Sequence, residues 1–369
     1  MINFYDFEVF QFDWLVCIIN AAEEKETVIH NDRDALIAYY ESHKNEIWVG
    51  YNSRNYDSTI LKSIILGFDV KSVNDAIIYE GLKSWQIDSR LRGVQLFDYD
   101  AYILNTGLKQ LEAFMGNDIR ETSVPFDLPR QLTREELELT VKYCRHDVEQ
   151  LIEVFIRNKT EFEAQLALIN IFHLSLRSIS RSQAQLAAII LKARKKELFD
   201  EWEIRMPDTL ILDKYKWIAE WFLNPINHNY EKELEVDVNG VSHKFAWGGV
   251  HGAIKKYNYV CRPDEMFVMA DVSQLYPFLM WRYRLLSRGC PNGAYDILKN
   301  TIDMSIKLKK EGKKKEREPY KRFNNIIYLE NNKYKSLGLL SFHILRPNMH
   351  RHNHNSLSLV RLLLYQLFC

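Results

Sequence analysis

Near the start of the chain, Phe4-Tyr5-Asp6-Phe7-Glu8-Val9-Phe10 is an apolar run broken by two acids. A strand alternates its side chains with a period of two, so Asp6 and Glu8 share one face, close enough to hold cations in common. Two more constellations follow. Asn52-Ser53-Arg54-Asn55-Tyr56-Asp57 is an Asn-rich turn leading to an acid, and Tyr143-Cys144-Arg145-His146-Asp147 sets a phenol and a carboxylate four apart on one helix face. Further on, Asp271 interrupts the apolar stretch Met266-Phe267-Val268-Met269-Ala270. A lone buried charge is costly enough that it neutralises or finds a cation. Each feature has a plainer reading. Half-buried alternation also produces an acid at every second position, an acid at position 57 suits a helix N-cap, and a structural Ca²⁺ site uses carboxylates. The Ca²⁺ reading accounts for neither the tyrosine nor the Asn-rich turn.

The elements that must position these groups can be read from periodicity and breakers. Short β-rich and helical runs alternate over Phe4–Asn20, Arg33–Ser42, Ile47–Tyr51 and Ser58–Leu66, which predicts an α/β domain with some parallel pairing. No glycine occurs from Asn117 to Asn239 and no proline from Gln131 to Met206, so successive helices are expected there. Thr133 and Glu136 form a capping box that opens a helix carrying Tyr143 and Asp147 to about Phe155. Val238-Asn239-Gly240-Val241 predicts a hairpin.

In this order and spacing, DxE, N-x3-YD and Y-x3-D resemble the three motifs of proofreading 3′–5′ exonucleases, the tyrosine-bearing DEDD class with a ribonuclease-H-like fold. The resemblance implies that Asp6, Glu8, Asp57 and Asp147 hold two Mg²⁺ ions, with Mn²⁺ as an alternative. Such a pair, about 4 Å apart, activates a water and stabilises the leaving 3′ oxygen. Tyr143 would orient the water and Asn52 would contact the terminal nucleotide. Asp98 and Asp100 match no motif.

Downstream, Asp271, Leu275, Tyr276 and Pro277 resemble motif A of family B DNA polymerases, with Gln274 where serine is usual. The resemblance implies metal binding by Asp271 and discrimination against a 2′-hydroxyl by Tyr276. Gly248 and Gly249 resemble the family's YxGG turn toward the template, with Ala246 at the tyrosine position. Lys321, Asn325 and Tyr328 resemble motif B, in which the lysine grips a triphosphate as a point charge; Ile326 and Leu329 replace its serine and glycine. They follow a basic run, Lys299 to Arg322, with ten basic residues against four acids, which could meet a phosphate backbone or form a solvated helix face. No DTD-type sequence follows Asp271, so the family's second catalytic aspartate is missing, and so is its thumb.

Formal net charge is zero and names no partner. Five scattered cysteines form no CxxC pair, which argues against a zinc knuckle or a disulfide framework. No 18-residue apolar run suggests a membrane span, and the acidic N-terminus is unlike a signal peptide, so a cytoplasmic protein is expected. After Glu330 there is no acid, and His343, His350, His352 and His354 crowd the last thirty residues. A metal site, a basic nucleic-acid tail and a shifted reading frame are the alternatives, and we expect the last.

The expected organisation is an exonuclease domain over 1–160, a helical connection over 161–239, the beginning of an α+β polymerase palm with partial fingers over 240–335, and an atypical basic tail over 336–369. The expected function is that of the N-terminal portion of a phage-type family B DNA polymerase with a complete exonuclease site. Its partners would be primer-template DNA and single-stranded 3′ ends, with deoxynucleoside triphosphates if a second polypeptide completed the polymerase half. The alternatives are a stand-alone exonuclease and a non-enzymatic DNA-binding or decayed remnant.

Overall fold

The computed structural model describes residues 1–103, 105–194, 202, 211–247, 249–253, 260–266, 273–287 and 289–329. The chain divides into two units, Met1–Ser182 and Gln183–Cys369.

The first unit is mixed α/β. Strands β1 (Ile2–Val9), β2 (Trp14–Asn20) and β3 (Lys25–His30) form an antiparallel meander. Helix α1 (Arg33–His43) carries the chain to β4 (Ile47–Gly50), which pairs parallel with the start of β1. Helices α2 (Asp57–Leu66), α3 (Val70–Ile78) and α4 (Ser84–Ile87) precede β5 (Phe97–Asp100), parallel to β4. The sheet order is β3-β2-β1-β4-β5. Then come α5 (Leu108–Met115), α6 (Arg134–Arg157) and α7 (Lys159–Ile171).

The period-two pattern of β1 divides its side chains between two layers. Tyr5, Phe7 and Val9 enter a core with Val16, Ile18 and Trp48 of the sheet, Leu36 and Tyr40 of α1, and Ile60, Leu61 and Ile64 of α2. On the opposite face Phe4 meets Phe155 of α6 at a ring-centroid distance of 5.2 Å. Helix α6 therefore lies over the face that carries Asp6 and Glu8. It starts where the capping box implies: the Thr133 hydroxyl accepts from the Glu136 N–H at 3.2 Å, and the Glu136 carboxylate accepts from the Thr133 N–H at 2.8 Å.

The division after Ser182 falls within the stretch 161–239 expected as a helical connection, and the packing of α7 accounts for its place. Phe162 meets Tyr99 and Phe155 at 5.0 and 5.1 Å. Gln165 donates to the carbonyls of Ile179 and Arg181, tying α7 to a 3₁₀ turn, Leu176–Ser180. That turn lies along β5, where the Asp98 N–H donates to the Ser180 hydroxyl at 3.0 Å.

The second unit begins with α8 (Gln183–Ile190) and α9 (Lys216–Leu223). An antiparallel sheet follows, of β6 (Glu233–Val238), β7 (Val241–Ala246) and β8 (Gly249–Gly252). The two-residue turn between β6 and β7 has positive φ at both Asn239 (51°) and Gly240 (79°), the Asn-Gly geometry that suits the twist of a hairpin. Ile218, Phe222, Val236, Phe245 and Trp247 form its core. Helices α10 (Leu275–Arg282), α11 (Gly293–Lys310) and α12 (Lys314–Leu329) complete the described part, and the basic run falls on α11 and α12. Among the described residues no helix is long and apolar enough to cross a membrane. The tail after Leu329, with its histidines, lies outside the described residues.

One glycine couples fold to site. A Cβ on Gly50, the last residue of β4, would stand 2.5 Å from the Ser53 Cβ and 3.4 Å from the Tyr5 ring. Gly50→Ala should push the Asn52–Asn55 turn off the sheet and cost about 1–3 kcal/mol, as overpacking does. Chemical denaturation checks this; an unchanged midpoint would show that the turn tolerates displacement.

Candidate active site

Four carboxylates from three elements face one another where β1 parts from β4. The parallel pairing of β1 with β4 ends at Phe4 and Val49. Past that point the N–H of Phe7 is taken by Asp57, whose Oδ1 accepts it at 3.1 Å. Asp57 is the first residue of α2, yet it does not serve as an N-cap. That place belongs to Tyr56, which makes no side-chain capping bond. The plainer reading of Asp57 therefore gives way to one in which the carboxylate, 2% exposed, is aimed at the strand bearing Asp6 and Glu8.

Helix α6 supplies the other side. Tyr143 and Asp147 stand one turn apart on α6, where burial and the Asp147 charge raise the Tyr143 phenol above its ordinary range. Between them Cys144 reaches Asp6, with Sγ 3.3 Å from its carbonyl oxygen and 3.8 Å from Oδ2. Burial raises the Cys144 thiol well above its ordinary range, with the neighbouring Cys17 thiol and the Asp6 charge adding to it. It therefore acts as a weak S–H donor rather than a thiolate.

Burial and mutual repulsion dominate the electrostatics. Asp6 is raised well above the usual carboxylate range by burial and by the charges of Asp57, Glu8 and Asp147. Glu8 is raised by burial, Asp147 and Asp57. Asp57 is pushed up to about 8 by burial, against the opposing pull of the Phe7 N–H. Like charges that converge in a buried place titrate upward unless a cation joins them. The donors are hard oxygens, which suits Mg²⁺ or Mn²⁺. Asp6 and Glu8, with Cys144, bring potential ligand atoms within 4.8 Å of one another. The residues present thus fit a divalent ion, and carboxylates of this type are metal-binding candidates by physical as well as motif criteria.

Several contributors escaped the sequence reading. Lys109 of α5 places its ammonium 2.5 Å from Asp147 Oδ1, 3.1 Å from Glu112 Oε1 and 4.7 Å from the centroid of the Tyr143 ring. Asp98, which matches no motif, is a buried brace. It accepts from the Tyr5 hydroxyl at 3.0 Å and from the Ser53 hydroxyl at 2.9 Å, anchoring the Asn-rich turn beneath the site. Burial and the charge of Asp100 push it up to about 6. Within that turn Asn52 adopts a left-handed conformation (φ 58°) and accepts from the Asn55 amide at 2.7 Å.

The second unit shows less of its expected site. Asp271 and Gly248 lie outside the described residues; Gly249 opens β8, and Tyr276 is the second residue of α10. Lys321 and Asn325 are successive-turn positions of α12, which also carries Tyr328, whose side chain lies outside the described residues. Gln274 ties the three helices together: it donates to the Ser305 hydroxyl at 2.8 Å and accepts from the Asn324 amide at 3.2 Å.

Asp57 titrates near 8 folded against an ordinary 3.8, so without divalent ions its contribution to stability is present at low pH and fades as pH rises through that window. Added Mg²⁺, which binds the ionised form, should raise Tm more at about pH 9 than at about pH 6, and Asp57→Asn should flatten the difference. A Mg²⁺ effect on thermal denaturation that is equal at both pH values would contradict the buried-acid account. Comparison of the chain with protein-family models and with curated proteins finds no match, so the chemistry of this site rests on its own residues.

Proposed function

We propose that the first unit is a metal-dependent 3′–5′ exonuclease of the tyrosine-bearing class, acting on single-stranded DNA ends, and that the chain belongs to a cytoplasmic, phage-type family B DNA polymerase. The observation that carries this reading is the convergence of Asp6, Glu8, Asp57 and Asp147, with Tyr143 one helical turn from Asp147. A strand order of β3-β2-β1-β4-β5, antiparallel for the first two pairings and parallel for the last two, supports a ribonuclease-H-like fold.

In this reading the four carboxylates hold the ions, which when bound supply a polarised water and neutralise charge on the leaving 3′ oxygen. The Tyr143 hydroxyl, on the turn of α6 before Asp147, orients the water. Lys109 holds Asp147 in place and adds positive charge where a phosphate would arrive. Asn52 and Asn55 present amides to the terminal nucleotide from a turn locked by Asp98 through Ser53.

For the second unit, the motif spacing and the joining of α10, α11 and α12 through Gln274 support a nucleotide-binding palm and fingers fragment. Polymerisation would need a second metal-binding aspartate, and no DTD-type sequence lies between Asp271 and Cys369.

A 3′-labelled single strand with Mg²⁺ tests the proposal. The chain should shorten it from the 3′ end, and Asp6→Ala or Asp147→Ala should each slow excision roughly a thousandfold, about 4 kcal/mol of transition-state stabilisation. Primer extension by the chain alone should be absent. Degradation that survives both substitutions would sink the assignment.

A further inference from the structure

Behind the proposed catalytic acids lies a second cluster. Glu112 of α5 is fully buried, and the His146 side chain on α6 is 8% exposed. Glu112 Oε2 and His146 Nε2 have no hydrogen-bond partner, although they lie 3.5 Å apart. Buried polar atoms are nearly always satisfied, so two such atoms facing each other point to something between them. A charge-assisted hydrogen bond would draw them to about 2.7–2.9 Å. Two ligands of a four-coordinate ion, each about 2.1 Å from it, stand about 3.4 Å apart, the edge of a tetrahedron. The observed separation matches the second geometry. Asp147, the residue after His146, brings a carboxylate oxygen within 4.8 Å of both.

We infer that Glu112, His146 and Asp147 form a site for a transition-metal ion of the Zn²⁺ type, separate from the Asp6 and Glu8 pair. An imidazole with two carboxylates selects Zn²⁺, Co²⁺ or Ni²⁺ over Mg²⁺, whereas the all-oxygen pair does the reverse. Charge supports the assignment. Lys109 now offers one positive charge to two carboxylates, and a divalent ion offers two, making the set neutral. Its side chain is 27% exposed, so the ammonium can leave toward solvent. Lys109 and the ion are therefore competitors for Glu112 and Asp147. Since Asp147 serves both clusters, loading this site withdraws it from the Mg²⁺ site, and Zn²⁺ is an inhibitor of excision. The inhibitory half of the inference rests on the exonuclease reading; the binding half does not.

Co²⁺ titrated into the full chain, followed by its visible absorption, separates the two. The wild-type chain should develop the intense band of a low-coordinate Co²⁺ site, and Zn²⁺ should abolish it. Glu8→Gln should keep the band, while His146→Gln and Glu112→Gln should lose it with circular dichroism unchanged. Lys109→Met, which removes the competitor, should shift the titration midpoint to lower Co²⁺, and this holds the inference to account even if the other variants misfold. No band in the wild-type chain, a band that survives His146→Gln, or an unmoved midpoint in Lys109→Met would each overturn the site. A band with the expected pattern in a chain that degrades no DNA would uphold the site and reject the exonuclease instead. Excision unaffected by Zn²⁺ at saturating occupancy would overturn the inhibitory half.

Discussion

The hydrogen bond from the Phe7 N–H to Asp57 is the constraint on which the first unit turns. It forms where β4 stops and β1 continues, so the start of α2 is drawn into the gap that a longer β4 would fill. Once Asp57 is fixed there, Asp6 and Glu8 cannot avoid it, because the strand projects both toward the same layer as α6. The fold accepts the repulsion of converging acids and offsets it with apolar burial on the other face, where Tyr5, Phe7 and Trp48 are almost fully enclosed. Sites arranged for chemistry are where such local conflict is expected, since the surrounding structure supplies the stability that they give up.

Helix α6 is the second organiser. Over five residues it presents a phenol, a thiol, an imidazole and a carboxylate, and three of these touch different partners: Tyr143 meets Lys109, Cys144 meets Asp6, and His146 meets Glu112. The Leu132 N–H, which donates to Asp13 beside β2 at 2.9 Å, and the Phe4–Phe155 contact hold it at both ends against the sheet. A rotation of this helix would disturb all of these partners together, so its packing, more than any single hydrogen bond, sets the geometry of the site.

What the amino-acid order disclosed and what it concealed divide along the range of the interactions. Asp6 with Glu8, Tyr143 with Asp147, the Thr133 cap and the Asn239-Gly240 turn are local patterns, whose periods or offsets belong to one element. Asp57 was visible as an acid at a helix start, but its direction was not, because the choice between capping its own helix and reaching Phe7 is tertiary. Lys109, Glu112 and Asp98 arrive from 38, 34 and 93 residues away from Asp147, His146 and Tyr5. No short pattern announces them. Gln274 illustrates a further limit: as a motif mismatch it counted against the assignment, whereas in the fold it joins three helices. The helical run past residue 160 was likewise readable as helix but not as part of the first unit, because the Phe162 and Gln165 contacts that hold it there are long-range in space.

The short β5 strand has a consequence of another kind. A sheet edge exposes unpaired amides and carbonyls that can recruit a strand from a neighbouring molecule. Here the edge is four residues long, two of them aspartates, and its Asp98 amide is already occupied by the Ser180 hydroxyl. At the other border, β3 opens with an exposed lysine and glutamate. The β5 margin of the sheet is thus closed to intermolecular growth and the β3 margin is guarded only by charge, so the Asp98 that braces the Asn-rich turn also helps to keep separate copies of the chain from zipping together.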